Sequence, residues 1–247
     1  MKIYKVNLTK SELSSLPENE LTFFLQACRM LNEINILHKV TFFSNRDGLS
    51  VVEERAQNSQ SLFFLTILSG KLWESWELLQ KDYFGSKLSK TYHNQLPDDA
   101  KDDLDNLKIY FGKPDNLVKQ IRNNIAFHFD SDELMKQFKQ SNDDEIFEIY
   151  LSGKQGNSCY FLPYALLLKA ILEWTGITDP FKATDAFFSD LLKTAGLFIN
   201  FLNHCLVTVA KNSFAWNLEE IEIQTPPRID EIFLPFFVRQ ASDKQQE

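Results

Sequence analysis

The chain has 247 residues and 44% hydrophobic content, enough to bury a substantial core in one large domain or two small ones. Its 22 phenylalanines against only 8 glycines exclude a fold with many tight turns, such as a sandwich or barrel, and suit long helices joined by few loops. A formal net charge of −8 works against any grip on a phosphate backbone by overall charge.

The 3 cysteines, Cys28, Cys159 and Cys205, are widely spaced and form no C-x-x-C pair. That suggests neither a zinc site nor a disulfide framework, and a reducing cytoplasm is the expected location. The N-terminus lacks an apolar signal region. No run approaches the roughly 18 apolar residues of a membrane span. Tyr160–Leu172 comes nearest, and Lys169 interrupts it. No membrane partner is expected.

In chain order, Thr9-x-x-Glu12 has the form of a capping box, and Pro17 ends the short turn that follows it. From about Glu18 to Phe43, Leu21, Phe24, Leu25, Cys28, Leu31, Ile34, Leu37 and Val40 recur at threes and fours, which predicts a helix with one buried face. Asp47-Gly48 centres a turn. A second helix is predicted from about Val51 to Tyr83, with Leu62, Leu65, Leu68, Leu72, Trp76, Leu79 and Tyr83 as its stripe. Phe84–Leu96 reads as a loop, and Pro97–Tyr110 as a shorter, mostly solvent-facing helix.

A helix from about Asp115 carries the string discussed below. Ser131–Tyr150 is highly charged and reads as two short surface helices, then Ser152–Ser158 as a loop. Leu162–Trp174 is apolar nearly all round, which places it near the centre of a bundle. Asp179-Pro180 is a cap followed by proline at the first helical position, opening a last long helix to about Asn212. Ile221-Glu222-Ile223 alternates, and Phe233–Val238 is expected to pack back on the helices. The expected architecture is a single all-α domain over 1–247. It is an elongated helical bundle of long antiparallel helices, its core at about 18–213 and a C-terminal extension at 214–247.

The stretch with chemistry is Ile121–Asp130, I-R-N-N-I-A-F-H-F-D. From Lys108 to His128 the chain carries Lys108, Lys113, Lys119 and Arg122 against only Asp115, so its basic stretch coincides with this string. On a helix with Ile121 at zero, Leu117, Val118 and Ile125 fall within roughly 60° and define the buried face. His128 falls about 20° from its centre and Arg122 about 100° round. A site using both needs a bent helix end or a second copy of the helix across a dimer axis. A lone histidine on an apolar face is more often a hydrogen-bonded core residue, and an arginine on a helix flank a salt-bridge partner.

The full string R-N-N-I-A-F-H resembles the signature of the HEPN superfamily (higher eukaryotes and prokaryotes nucleotide-binding domains). There, arginine and a polar residue precede a histidine by a few positions. Arg122, Asn123 and His128 match those positions. The resemblance implies an all-helical, metal-independent endoribonuclease, often a toxin or antiphage effector, acting on RNA as a homodimer and held by an antitoxin or other protein partner. It implies Arg122 and His128 as catalytic residues and no cofactor. Asn123 and Asn124 are supporting polar groups, and Lys119 is a candidate phosphate contact. Family members controlled by a nucleotidyltransferase often carry tyrosine two residues after the histidine. Asp130 stands there, which argues against that control. The rival expectation is a HEPN-like helical protein that binds a partner or nucleotide and cleaves nothing.

Other residues carry less. His204 has no second ligand nearby in sequence, so no metal site is expected. His38 and His93 are isolated, and Lys87, Lys90 and His93 form a small basic loop patch. Trp73 and Trp76 sit at core spacing. No Gly-rich phosphate loop or G-x-S-x-G elbow is present.

Overall fold

A computed structural model of the chain describes residues 1–125, 131–154 and 156–239, and these are mostly helical. Strand β1 (Lys2–Val6) leads into α1 (Lys10–Leu13), where Thr9 and Glu12 form the expected capping box. Helix α2 spans Glu18–Phe43 and α3 spans Val51–Leu78, the latter opened by a Ser50/Glu53 capping box. Their mutual contacts run in opposite senses: Glu33 pairs with Lys71 at 3.1 Å, whereas Ser44, just past the end of α2, meets Ser61, earlier in α3, at 3.1 Å. The two helices are therefore antiparallel. Gln57 also donates to the Ser44 carbonyl, closing the buried polar end of this hairpin.

Helix α3 runs on into a π-helical turn, Leu79–Tyr83, in which the Phe84 N–H reaches back to the Leu79 carbonyl at 2.9 Å. The segment 84–96, expected to be a loop, instead holds α4 (Lys87–Tyr92) and a 3-10 turn (His93–Gln95). Ser86 caps α4, and Leu88 and Tyr92, four residues apart, bury its inner side.

Helix α5 (Asp98–Gly112) is exposed over most of its residues, as expected, and Ala100, Leu104, Leu107 and Phe111 form a buried stripe beneath its acidic outer face. Phe111 stacks on Trp76 with centroids 4.7 Å apart and planes 8° from parallel, which places that tryptophan in the core.

Two short helices follow, α6 (Leu117–Asn124) and α7 (Ser131–Gln140). The charged stretch 131–150 thus holds one helix rather than two. It ends in strand β2 (Ile149–Tyr150), paired with β3 (Cys159–Tyr160). Helix α8 (Leu162–Thr175) is buried only at Leu166, Leu167, Ala170 and Ile171 and closes on Gly176 in the left-handed conformation, φ 65°.

Helix α9 (Pro180–Ser213) takes the central place expected of α8, packing against α2, α3, α5, α6 and α8. The Asp179 carboxylate caps it by accepting from the Lys182 N–H at 3.2 Å. Tyr110 meets Asp190 and Asp103 meets Asn200, so α5 and α9 are antiparallel too. By mean hydropathy, Lys182–Ser213 is long and apolar enough to cross a membrane, contrary to the reading from uninterrupted runs. In this fold 50% of its apolar window is buried inside the protein.

Strand β4 (Leu218–Glu222) returns to pair antiparallel with β1, with Lys2–Glu220 and Lys5–Glu219 ion pairs across the ribbon. Nothing in the local sequence of β1 announces that partner. Beyond it, Phe236 and Phe237 pack on the cluster of Ala56, Cys159 and Phe161, as expected for the tail of the chain. Cys28, Cys159 and Cys205 are free thiols, and burial pushes that of Cys205 up to about 12.

Candidate functional site

Helix α6 carries the described part of the motif. It begins one residue later than its acidic neighbour suggests, because Asn116 rather than Asp115 is its cap. The Asn116 side chain accepts from the Lys119 N–H at 2.9 Å and donates to the Lys113 carbonyl at 2.8 Å. Gln120 Nε2 donates to the Asp115 carbonyl at 2.7 Å, so the entry to the helix is fixed from both sides. Val118 and Ile121 are buried on the core, as the helical projection requires.

A third anchor was not visible in the sequence. The Tyr110 hydroxyl, at the end of α5, donates to Asp190 Oδ2 at 2.6 Å and accepts from the Val118 N–H at 3.4 Å. Burial pushes the Tyr110 phenol above its ordinary range, and the adjacent Asp190 carboxylate adds to the effect. Burial likewise raises the Asp190 carboxyl, against the lowering influence of the Tyr110 hydrogen bond and of Lys113 and Lys193. Residues 80 apart in sequence carry no local signal of this contact.

The helix expected to continue to His128 ends at Asn124. Ile125, with φ −139° and ψ −44°, has left the helical conformation, although its N–H still reaches the Ile121 carbonyl at 2.8 Å. Two successive asparagines, poor helix formers that compete for backbone hydrogen bonds, precede the stop. His128 and Asp130 lie outside the described residues, so the projection that put His128 on the buried face has no helix beneath it at Ile125.

Arg122 and Asn123 are exposed in the last turn of α6, Asn124 is half-buried, and Lys119 is half-buried one turn earlier. Helical spacing puts Lys119, Arg122 and Asn123 on one side. The Arg122 guanidinium donates to Asn123 Oδ1 at 3.2 Å, and no carboxylate among the described residues pairs with it or with the Lys119 ammonium. The other cations of the basic stretch are engaged, since Lys108 pairs with Asp105 at 2.8 Å and Lys113 acts on Asp190. A cation in the last turn of a helix also favours the helix dipole, so Arg122 has a structural use besides any chemical one.

Elsewhere, His204 Nε2 stands 3.9 Å from Asp99 Oδ2, and Asn200 donates to Asp103 at 2.6 Å. Among the described residues no group of His, Cys, Asp or Glu is arranged to hold a metal ion. Lys87 and His93, read as part of a loop patch, belong to α4 and the 3-10 turn after it.

No protein-family model, no curated protein and no solved structure matches the chain.

Proposed function

We propose that the chain is a HEPN-type, metal-independent endoribonuclease built as an elongated helical bundle and working as a homodimer in the cytoplasm, in the manner of a toxin or antiphage effector. The observation that carries this reading is the Arg122 guanidinium. It is exposed at the end of a firmly anchored helix, free of carboxylates among the described residues, and six positions before His128 in the chain. In the proposed reaction, neutral His128 accepts the proton of a ribose 2′-hydroxyl, whose oxygen then attacks the adjacent phosphorus. Arg122 stabilises the charge gathering on the phosphoryl oxygens, and the 5′-oxygen of the next nucleotide leaves with a proton from water, which the His128 imidazolium then restores. The products are a 2′,3′-cyclic phosphate and a 5′-hydroxyl. Lys119 contacts a neighbouring phosphate, and Asn123 and Asn124 hold phosphate or imidazole. An antitoxin or other protein partner restrains the enzyme.

The second reading, a HEPN-like protein that binds a partner or nucleotide without cleaving, is favoured by the net charge of −8. Incubating the protein with mixed RNAs in the presence of EDTA separates the two. The nuclease reading expects cleavage that EDTA does not stop. Intact RNA at high enzyme concentration supports the binding protein.

A further inference from the structure

Three helical elements of this protein share one opening device, and α2 lacks it. At α1, α3 and the 3-10 turn Ile229–Glu231, a glutamate in the first turn returns its carboxylate to the N–H of the capping residue. Glu12 accepts from Thr9 at 2.7 Å, Glu53 from Ser50 at 2.9 Å and Glu231 from Arg228 at 2.9 Å. Helix α2 has Glu20 at the same position, but its cap is Pro17, which has no N–H to give.

Glu20 is nonetheless only 4% exposed. Among the described residues its carboxylate takes part in no hydrogen bond or ion pair, and its oxygens are not sealed from solvent. It lines a cleft of about 270 Å³ whose other walls include Ser15, Leu16, Lys87, Thr91, Tyr92 and Ser213.

The chemistry of those walls narrows the occupant. The Glu20 carboxylate repels phosphate and other anions. The Lys87 ammonium and the N-terminal end of α2 disfavour a cation or an amine. What remains suited is a neutral molecule that donates to the carboxylate and exchanges hydrogen bonds with hydroxyls and an ammonium. Tyr92 and Leu16 offer an apolar wall to a C–H face. The volume, just under the ~300 Å³ of the smallest drug-sized sites, suits one ring. We propose that this cleft binds a small polyhydroxylated ligand of the monosaccharide type, with Glu20 accepting hydrogen bonds from adjacent hydroxyls. The site is separate from Arg122 and independent of the nuclease reading.

The test is saturation-transfer NMR of the full chain with D-ribose, D-glucose and myo-inositol, with putrescine and inorganic phosphate as contrasting probes. At least one polyol should bind. Glu20→Gln, which keeps the shape and removes half the acceptor capacity, should weaken it by about tenfold or more. Thr91→Val should weaken it as well, and Ile109→Ala, on the exposed face of α5, should leave it unchanged. Circular dichroism establishes that each variant is folded, and Thr91→Val carries the test if Glu20→Gln does not fold. The proposal is overturned if no polyol binds in a manner that responds to the folded cleft variants, or if putrescine or phosphate takes the site instead.

Discussion

The Tyr110 hydroxyl stands 2.6 Å from Asp190 Oδ2 while accepting the Val118 N–H at 3.4 Å, so one oxygen joins the end of α5, the start of α6 and the middle of α9. The position of Arg122 depends on that joint, since only one further turn of helix separates it from Val118. Tyr110→Phe removes the donor and leaves a largely buried carboxylate without its hydrogen bond. A loss of about 1.5–3 kcal/mol is expected for a hydrogen bond to a charged group. Urea unfolding measures it. Unchanged stability would show that the joint contributes nothing.

A second tyrosine should behave in the opposite way. Tyr83 is almost fully buried in the π-helical turn, between Phe23, Phe84 and Phe201, and its hydroxyl has no hydrogen-bond partner among the described residues. Tyr83→Phe keeps the ring and deletes the unsatisfied group. Stability should rise by about 1 kcal/mol, because an unpaired buried hydroxyl carries a desolvation cost and no compensating bond. A fall in the thermal midpoint would reveal a partner that this hydroxyl needs.

Acid should release α7 before the rest of the protein. Lys136 pairs with Glu173 at 2.7 Å, and Lys169 donates to Ser141 at 2.8 Å and pairs with Glu145, tying α7 and the segment after it to α8. The hydrogen bond from Lys136 lowers the Glu173 carboxyl, and that from Lys169 lowers Glu145. Their folded-state values lie below the unfolded 4.5, so their contribution is present above 4.5 and is lost as pH falls through the lowered values. Asp190 has the opposite sign. Its raised value makes its contribution fullest below 3.8, and that contribution is lost as pH rises through the raised value. The hydrogen-exchange protection factors of α7 should therefore fall on acidification below 4.5 while α9 near Asp190 stays protected. Equal loss of protection in both would contradict this ordering.

The long helices were legible because their signals are local. The threes-and-fours stripe marks α2 and α3, and Asp179-Pro180 marks the start of α9. Helix α4 escaped notice because six residues between Gly85 and Pro97 offer only Leu88 and Tyr92 as a pattern. Strand β1 escaped because its partner lies at the other end of the chain. Helix α8 looked central from composition alone, yet what decides burial is how many helices meet a segment, and that is a property of packing. At the candidate site, the buried side of α6 followed from Val118 and Ile121. The stop at Asn124 and the Tyr110–Asp190 anchor did not. The first needed the helix propensities of Asn123 and Asn124 to outweigh the apolar pattern, and the second joins residues with no shared local signal.

The central claim is that Arg122 and His128 together cleave RNA, and the chemistry of the cut ends tests it most directly. Folded wild-type protein, Arg122→Ala and His128→Ala are each incubated with RNA and the fragment termini identified by mass spectrometry. Wild type should leave 2′,3′-cyclic phosphates, and each variant should lose about 100-fold or more of that product. Absence of cyclic phosphate from wild type, or equal yields from all three proteins, would contradict the account.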